Sequence, residues 1–86
     1  MTNRIIERTV QLYAYGFLSN EDMEKAVAKL HELSGLKVCI GWSHRSIFAY
    51  FDDIVKAQAA ALDVECLVYC QTEVRKGTFN VTSLVI

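Results

Sequence analysis

Proline is absent from this chain of 86 residues, glycine occurs four times, cysteine three times, and neither sign of charge dominates: nine Lys and Arg face ten Asp and Glu. Each shortage excludes something. Without glycine-rich stretches there is no phosphate-cradling loop and no nucleophile elbow. Three cysteines, Cys39, Cys66 and Cys70, cannot all pair, and a small disulfide scaffold would carry a denser, even set, so reduced and buried thiols are expected. The charges also balance locally, four against five up to Gly35 and five against five beyond it. No block is basic enough for a sequence-independent phosphate surface, which disfavours nucleic acid as a partner. The longest apolar runs fall far short of the ~20 residues a spanning helix needs, and MTNRIIERTV has no apolar signal core, so no membrane segment and a cytoplasmic location are expected.

What is present is apolar side chain. The hydrophobic fraction is 52%, with four Phe, four Tyr and one Trp. That is too much for a disordered chain, and 86 residues are too few for two domains, so residues 1–86 read as one folded unit. A domain of this size buries only about 60% of its unfolded-chain surface. Some large apolar side chains must therefore stay outside, which implies self-association or a protein partner.

The glycines Gly16, Gly35, Gly41 and Gly77 punctuate the chain. Residues 4–15 carry Ile6, Val10, Tyr13 and Phe17 at helical spacing together with β-branched and aromatic residues; a helix is expected, with a strand as the alternative. Ser19 followed by Asp22 resembles a capping box, Glu21, Asp22 and Glu24 place negative charge in the first turns, and Gly35 stops a helix over 19–34. The alternation of Leu36, Val38, Ile40 and Trp42 predicts a strand over 36–42. Ile47, Phe48, Phe51, Ile54, Val55 and Leu62 predict a wide-faced helix over 46–62, with Asp52 and Asp53 on its wet side. Residues 64–73 and 78–86 read as strands joined through Gly77 as a terminal hairpin. The sum is an α+β fold: a mixed three-stranded sheet made of a β-α-β unit with parallel strands plus the C-terminal hairpin, and an N-terminal helical pair. The alternative order is β-α-β-α-β-β. The expected core is Val27, Leu30, Val38, Ile40, Phe51, Ile54, Val55, Val68 and Leu84.

Chemistry-bearing constellations are few. On a strand, Cys66 and Cys70 would lie ~13 Å apart, too far to share a metal ion, so neither metal nor cofactor is expected. Cys39, five residues before His44, is the one cysteine near an activating side chain. Trp42, Ser43, His44, Arg45 and Ser46 would join a strand to a helix start. There, unpaired amides attract anions and two basic residues are electrostatically misplaced unless a carboxylate such as Glu21 or Asp22, or a bound anion, compensates.

The residues thus favour a non-enzymatic interaction protein, homo-oligomeric and binding another macromolecule. Small stand-alone proteins of this kind are frequent in phages and mobile elements as regulators or inhibitors of host enzymes, so such a role is expected from frequency and not from any residue. The alternative is a small-ligand binder holding a phosphate or carboxylate at 42–46. The uncharged tail TFNVTSLVI lacks the features that blunt natural edge strands. Phe79, Val81, Leu84, Val85 and Ile86 are therefore the expected interface, with two copies pairing edge to edge about a two-fold axis and coverage by residues 4–15 as the competing arrangement.

Overall fold

The computed structural model describes residues 3–84, with side chains from residue 5 to residue 82. Val85 and Ile86, two of the expected interface residues, lie outside the described residues, as does the Leu84 side chain. The elements follow in the order β1 (Asn3–Tyr15), α1 (Asn20–Ser34), β2 (Cys39–Gly41), β3 (Ser46–Phe51), α2 (Ile54–Leu67) and β4 (Gln71–Leu84). The strands form one sheet in the order β2-β3-β1-β4, and each neighbouring pair is antiparallel. Two β-α-β units are interleaved, the connectivity of split β-α-β, or ferredoxin-like, domains. The α+β class is as expected, with four strands in place of three and no parallel pair among the described strands.

Residues 4–15 form a strand, not the first member of a helical pair. Val10, Leu12 and Ala14 alternate inward at 3%, 0% and 0% exposure, while Tyr13 turns to the other face against Phe48. The helical match of Val10 with Tyr13 was a coincidence of two residues that belong to opposite faces, and period two wins because β1 has a strand on each side. The expected helix 46–62 divides in the same way. Ile47, Ala49 and Phe51 point inward from β3. The carboxylate of Asp53 then accepts the Val55 N–H at 2.9 Å and starts α2. Asp53 is thus a helix cap rather than a wet helical flank.

The expected strand 64–73 is also divided. Helix α2 continues to Leu67, burying Val64, and β4 begins only at Gln71. The hairpin turn at Gly77 does not exist, because β4 runs unbroken through it. Arg8 pairs with Phe79 and Val10 with Lys76, so β4 takes three steps where β1 takes two, which is a bulge. Glycine fits this point since a Cβ on Gly77 would lie 3.0 Å from the Phe79 ring. The alternative order β-α-β-α-β-β holds in its N-terminal strand and its four strands but misplaces the second helix, which follows β3 rather than β2.

Helix α1 matches its expected span. Ser19 accepts the Asp22 N–H at 3.2 Å, and Gly35 closes the helix in the left-handed region at φ 72°, its N–H donating to the His31 carbonyl at 3.0 Å. Both helices lie on one face of the sheet. Met23, Ala26 and Leu30 of α1 and Ala57, Ala60, Ala61 and Val64 of α2 share one core with Val10, Leu12, Ala14, Ile47, Ala49 and Phe51. Of the expected core, Leu30, Val38, Phe51 and Val68 are buried and Val27, Ile40 and Ile54 partly so, whereas Val55 is 66% exposed. Among the described residues no helix is long and apolar enough to cross a membrane.

Leu12 is fully buried at the centre of the sheet. Leu12→Ala should therefore lower the unfolding free energy by about 3 kcal/mol, read from urea or guanidinium denaturation; a loss under about 1 kcal/mol would contradict this packing.

Candidate functional site

The segment 42–46 links β2 to β3 and precedes no helix. Trp42–His44 form a short 3-10 turn, Arg45 takes a left-handed φ of 49°, and Ser46 enters β3. Arg45 is held by neutral oxygens: its Nε donates to Asn20 Oδ1 at 3.2 Å and its Nη1 to the Leu18 carbonyl at 3.0 Å. The expected compensation by Glu21 or Asp22 is replaced by these two acceptors. Ser46 is buried, while Trp42, Ser43 and His44 are exposed. The helix-start amides on which the anion argument rested belong instead to α2, beyond Asp53.

The cysteines differ from one another. Cys39 on β2 and Cys66 on α2 are exposed, and only Cys70 is buried, which corrects the expectation of three buried thiols. Cys66 stands on a helix and Cys70 beyond its end, so the strand spacing applied to them does not hold. Among the described residues no three His, Cys, Asp or Glu side chains are grouped to hold a metal ion. Burial, with a smaller contribution from the Glu65 carboxylate, pushes the Cys70 thiol up to about 11. It is a packed thiol and not a nucleophile.

The face of the sheet away from the helices gathers the aromatic side chains. Tyr13 stacks on Phe48 across the β1–β3 pair and on Tyr15 along its own strand, each at 4.7 Å between centroids. The Arg75 guanidinium lies 5.8 Å from the Tyr13 ring centroid. Desolvation and the Glu73 carboxylate raise the Tyr15 hydroxyl above its usual range. Gln11 donates to the Tyr50 hydroxyl at 3.3 Å, and Tyr50 meets Phe79 at 5.5 Å. Sequence reasoning missed this cluster because it placed Tyr13 and Tyr50 on helices. The signal was present in the alternations Gln11-Tyr13-Tyr15 and Phe48-Tyr50.

Beyond the bulge, residues 3–8 and 79–84 pair with each other as a two-stranded arm, while the β3 register on β1 covers residues 10–14. The arm bends over the aromatic face. A cleft of about 330 Å³ is lined by Cys39 of β2, Tyr50 of β3 and residues 78–82 of β4, although β2 and β4 are opposite edges of the sheet. Val81 is only 7% exposed yet stands outside the helix-side core. Phe79 and Val81 thus turn their side chains onto the protein's own open face. Thr78, Asn80 and Thr82, which also line the cleft, stay exposed.

The comparisons with protein-family models, with curated proteins and with solved structures find no match for this chain.

The two classes of thiol have a measurable consequence. With iodoacetamide at pH 8, two adducts should form quickly, on Cys39 and Cys66, and the third, on Cys70, only after unfolding, as read by peptide mass spectrometry. The same pKa makes stability depend on pH: the folded state favours the protonated Cys70 thiol, so its contribution is complete below the unfolded value of about 9 and fades as pH rises toward 11. Cys70→Ala should flatten that part of a plot of Tm against pH.

Proposed function

We propose that the protein is a non-enzymatic interaction module that binds another protein by adding an extended segment of it to the outer edge of β4. The observation that carries this reading is the edge itself. β4 is 14 residues long and stands at the end of the sheet order, with β1 on one side and no described strand on the other. An unpaired row of N–H and C=O groups of that length is a template for a further strand. The opposite edge, β2, has three residues and offers far less. Around 78–82 the exposed side chains are Thr78, Asn80 and Thr82, which carry no charge to repel an added strand. The exposed thiols of Cys39 and Cys66 fit residence in a reducing compartment such as the cytoplasm.

The test is a display selection for short peptides that bind the folded protein, followed by amide hydrogen exchange on the complexes. The reading expects binders that protect amides within 78–84. A proline scan through 80, 81 and 82 sharpens it: proline at a residue whose N–H points away from β1 should leave the fold intact and weaken binding about tenfold, the value of one lost backbone hydrogen bond. Peptides that bind without protecting β4 amides would overturn it.

A further inference from the structure

Helix α2 is apolar on both sides. Its inner side buries Ala57, Ala60, Ala61 and Val64. At about 100° per residue, Val55, Ala59, Leu62 and Cys66 fall within an arc of about 60° on the opposite side. All four are exposed, Val55 at 66% and Leu62 at 64%. A surface helix normally turns charge to solvent along such a line. Here the spacing 55, 59, 62, 66 is instead that of alternating d and a positions in a heptad seam.

The side chains that flank the stripe indicate what covers it. Lys56 and Asp63 lie one residue after the two d positions, on one flank, and Gln58 and Glu65 lie one residue before the two a positions, on the other. When two copies of such a helix pack antiparallel about a two-fold axis, each flank meets the same flank of its mate. With the axis passing beside Ala60 and Ala61, Leu62 of one copy sits against Ala59 of the other and Val55 against Cys66. Lys56 then meets the second copy's Asp63 at both ends of the seam, and Gln58 meets its Glu65. A parallel pairing brings Lys56 no carboxylate and sets the two Cys66 thiols against each other. The stripe, its small residue opposite a large one, and its charges are thus complementary to themselves in one orientation only.

From this self-complementarity we infer that α2 is a homodimerisation helix, packing antiparallel on α2 of a second copy of this chain. The contact uses the helix layer and leaves both β4 edges outward, so it is independent of the strand-addition reading, and the two are tested at different residues. The whole helix is 14 residues, about 21 Å long, and a seam along it is smaller than a permanent interface, so the pairing is weak and concentration-dependent. The Lys56 ammonium is 3.6 Å from Asp52 within its own chain and exchanges or shares that carboxylate on pairing.

Sedimentation equilibrium between about 10 µM and 1 mM tests the inference. The unmodified chain should dimerise in that range. Leu62→Asp, at an exposed position that leaves the monomer folded by circular dichroism, should weaken the dimer at least about tenfold. Lys56→Asp and Asp63→Lys should each weaken it about fivefold, and the two together should restore it to within about twofold. Orientation is read by oxidation in a Cys39→Ser background. Val55→Cys should cross-link to the mate's Cys66, and the same background without that change should not. A chain still monomeric at 1 mM, a dimer that survives Leu62→Asp, a charge swap that fails to restore, or Cys66–Cys66 cross-linking each overturns it.

Discussion

Two ladders share one strand, and the rest of the molecule hangs on that sharing. β1 pairs with β3 through residues 10–14 and with β4 from Asn3 to Tyr15. Its inward residues Val10, Leu12 and Ala14 belong to one core with residues of both helices and of β3, and Val74 of β4 packs against it. A strand with partners on each side has its register set twice, since a slip of one residue would turn that inward set to the aromatic face and bring Tyr13 and Tyr15 among the alanines of α2. The small residues of α2 are suited to this arrangement: Ala57, Ala60 and Ala61 let the helix lie close on a sheet that already contributes the bulk through Leu12, Ile47 and Phe51.

The two faces of the sheet are covered in different ways. The helix side is a packed apolar layer. The other side is covered in part by the chain's own arm, which leaves the main sheet at the bulge and lays Phe79 beside Tyr50. Local chemistry explains where the bend falls, because the Phe79 ring occupies the space that a Cβ on Gly77 would need. Apolar side chains in an edge strand are thereby turned inward. The apolar surface that stays outside is concentrated on and just after α2, at Val55, Leu62, Leu67 and Tyr69, with Ile5, Leu18 and Trp42 scattered elsewhere.

Helix α1 and the α+β class were legible because their signals are local. Ser19, Asp22 and Gly35 act on backbone groups within four residues of themselves, so no tertiary partner can change their meaning. The segments misread are those in which two periodicities compete. In Ser46–Leu62, a strand of aromatic and aliphatic residues abuts an alanine-rich helix, and only the capping carboxylate of Asp53 marks the join. In residues 64–84, β-branched Val64 and Val68 resemble strand, yet Val64 fills the last inward position of α2 and Gly77 is a bulge rather than a turn. The surplus of apolar surface was legible from composition, but its place on α2 was not, because a helix drawn from residue 46 puts Val55 on the inner stripe. For the loop 42–46, the residues were singled out by their charge, and what holds Arg45, the Asn20 amide and the Leu18 carbonyl, is visible only once the fold brings them near.

The pairing of β1 with β4 joins the two most distant parts of the described chain, Asn3 with Leu84. The central strand of the sheet thus has one of its two neighbours only after β4 has been synthesised. Until then it has a free side, and the aromatic residues Tyr13 and Tyr15 lack the strand that carries Arg75. Mean sequence separation between contacting residues sets how long a chain searches for its fold. Pairing the first described strand with the last raises that separation, so folding is slower than for a helical chain of the same length. A ribosome holding β4 in its exit tunnel would leave β1 exposed as a sticky edge, a transient state for chaperones rather than the finished protein to manage.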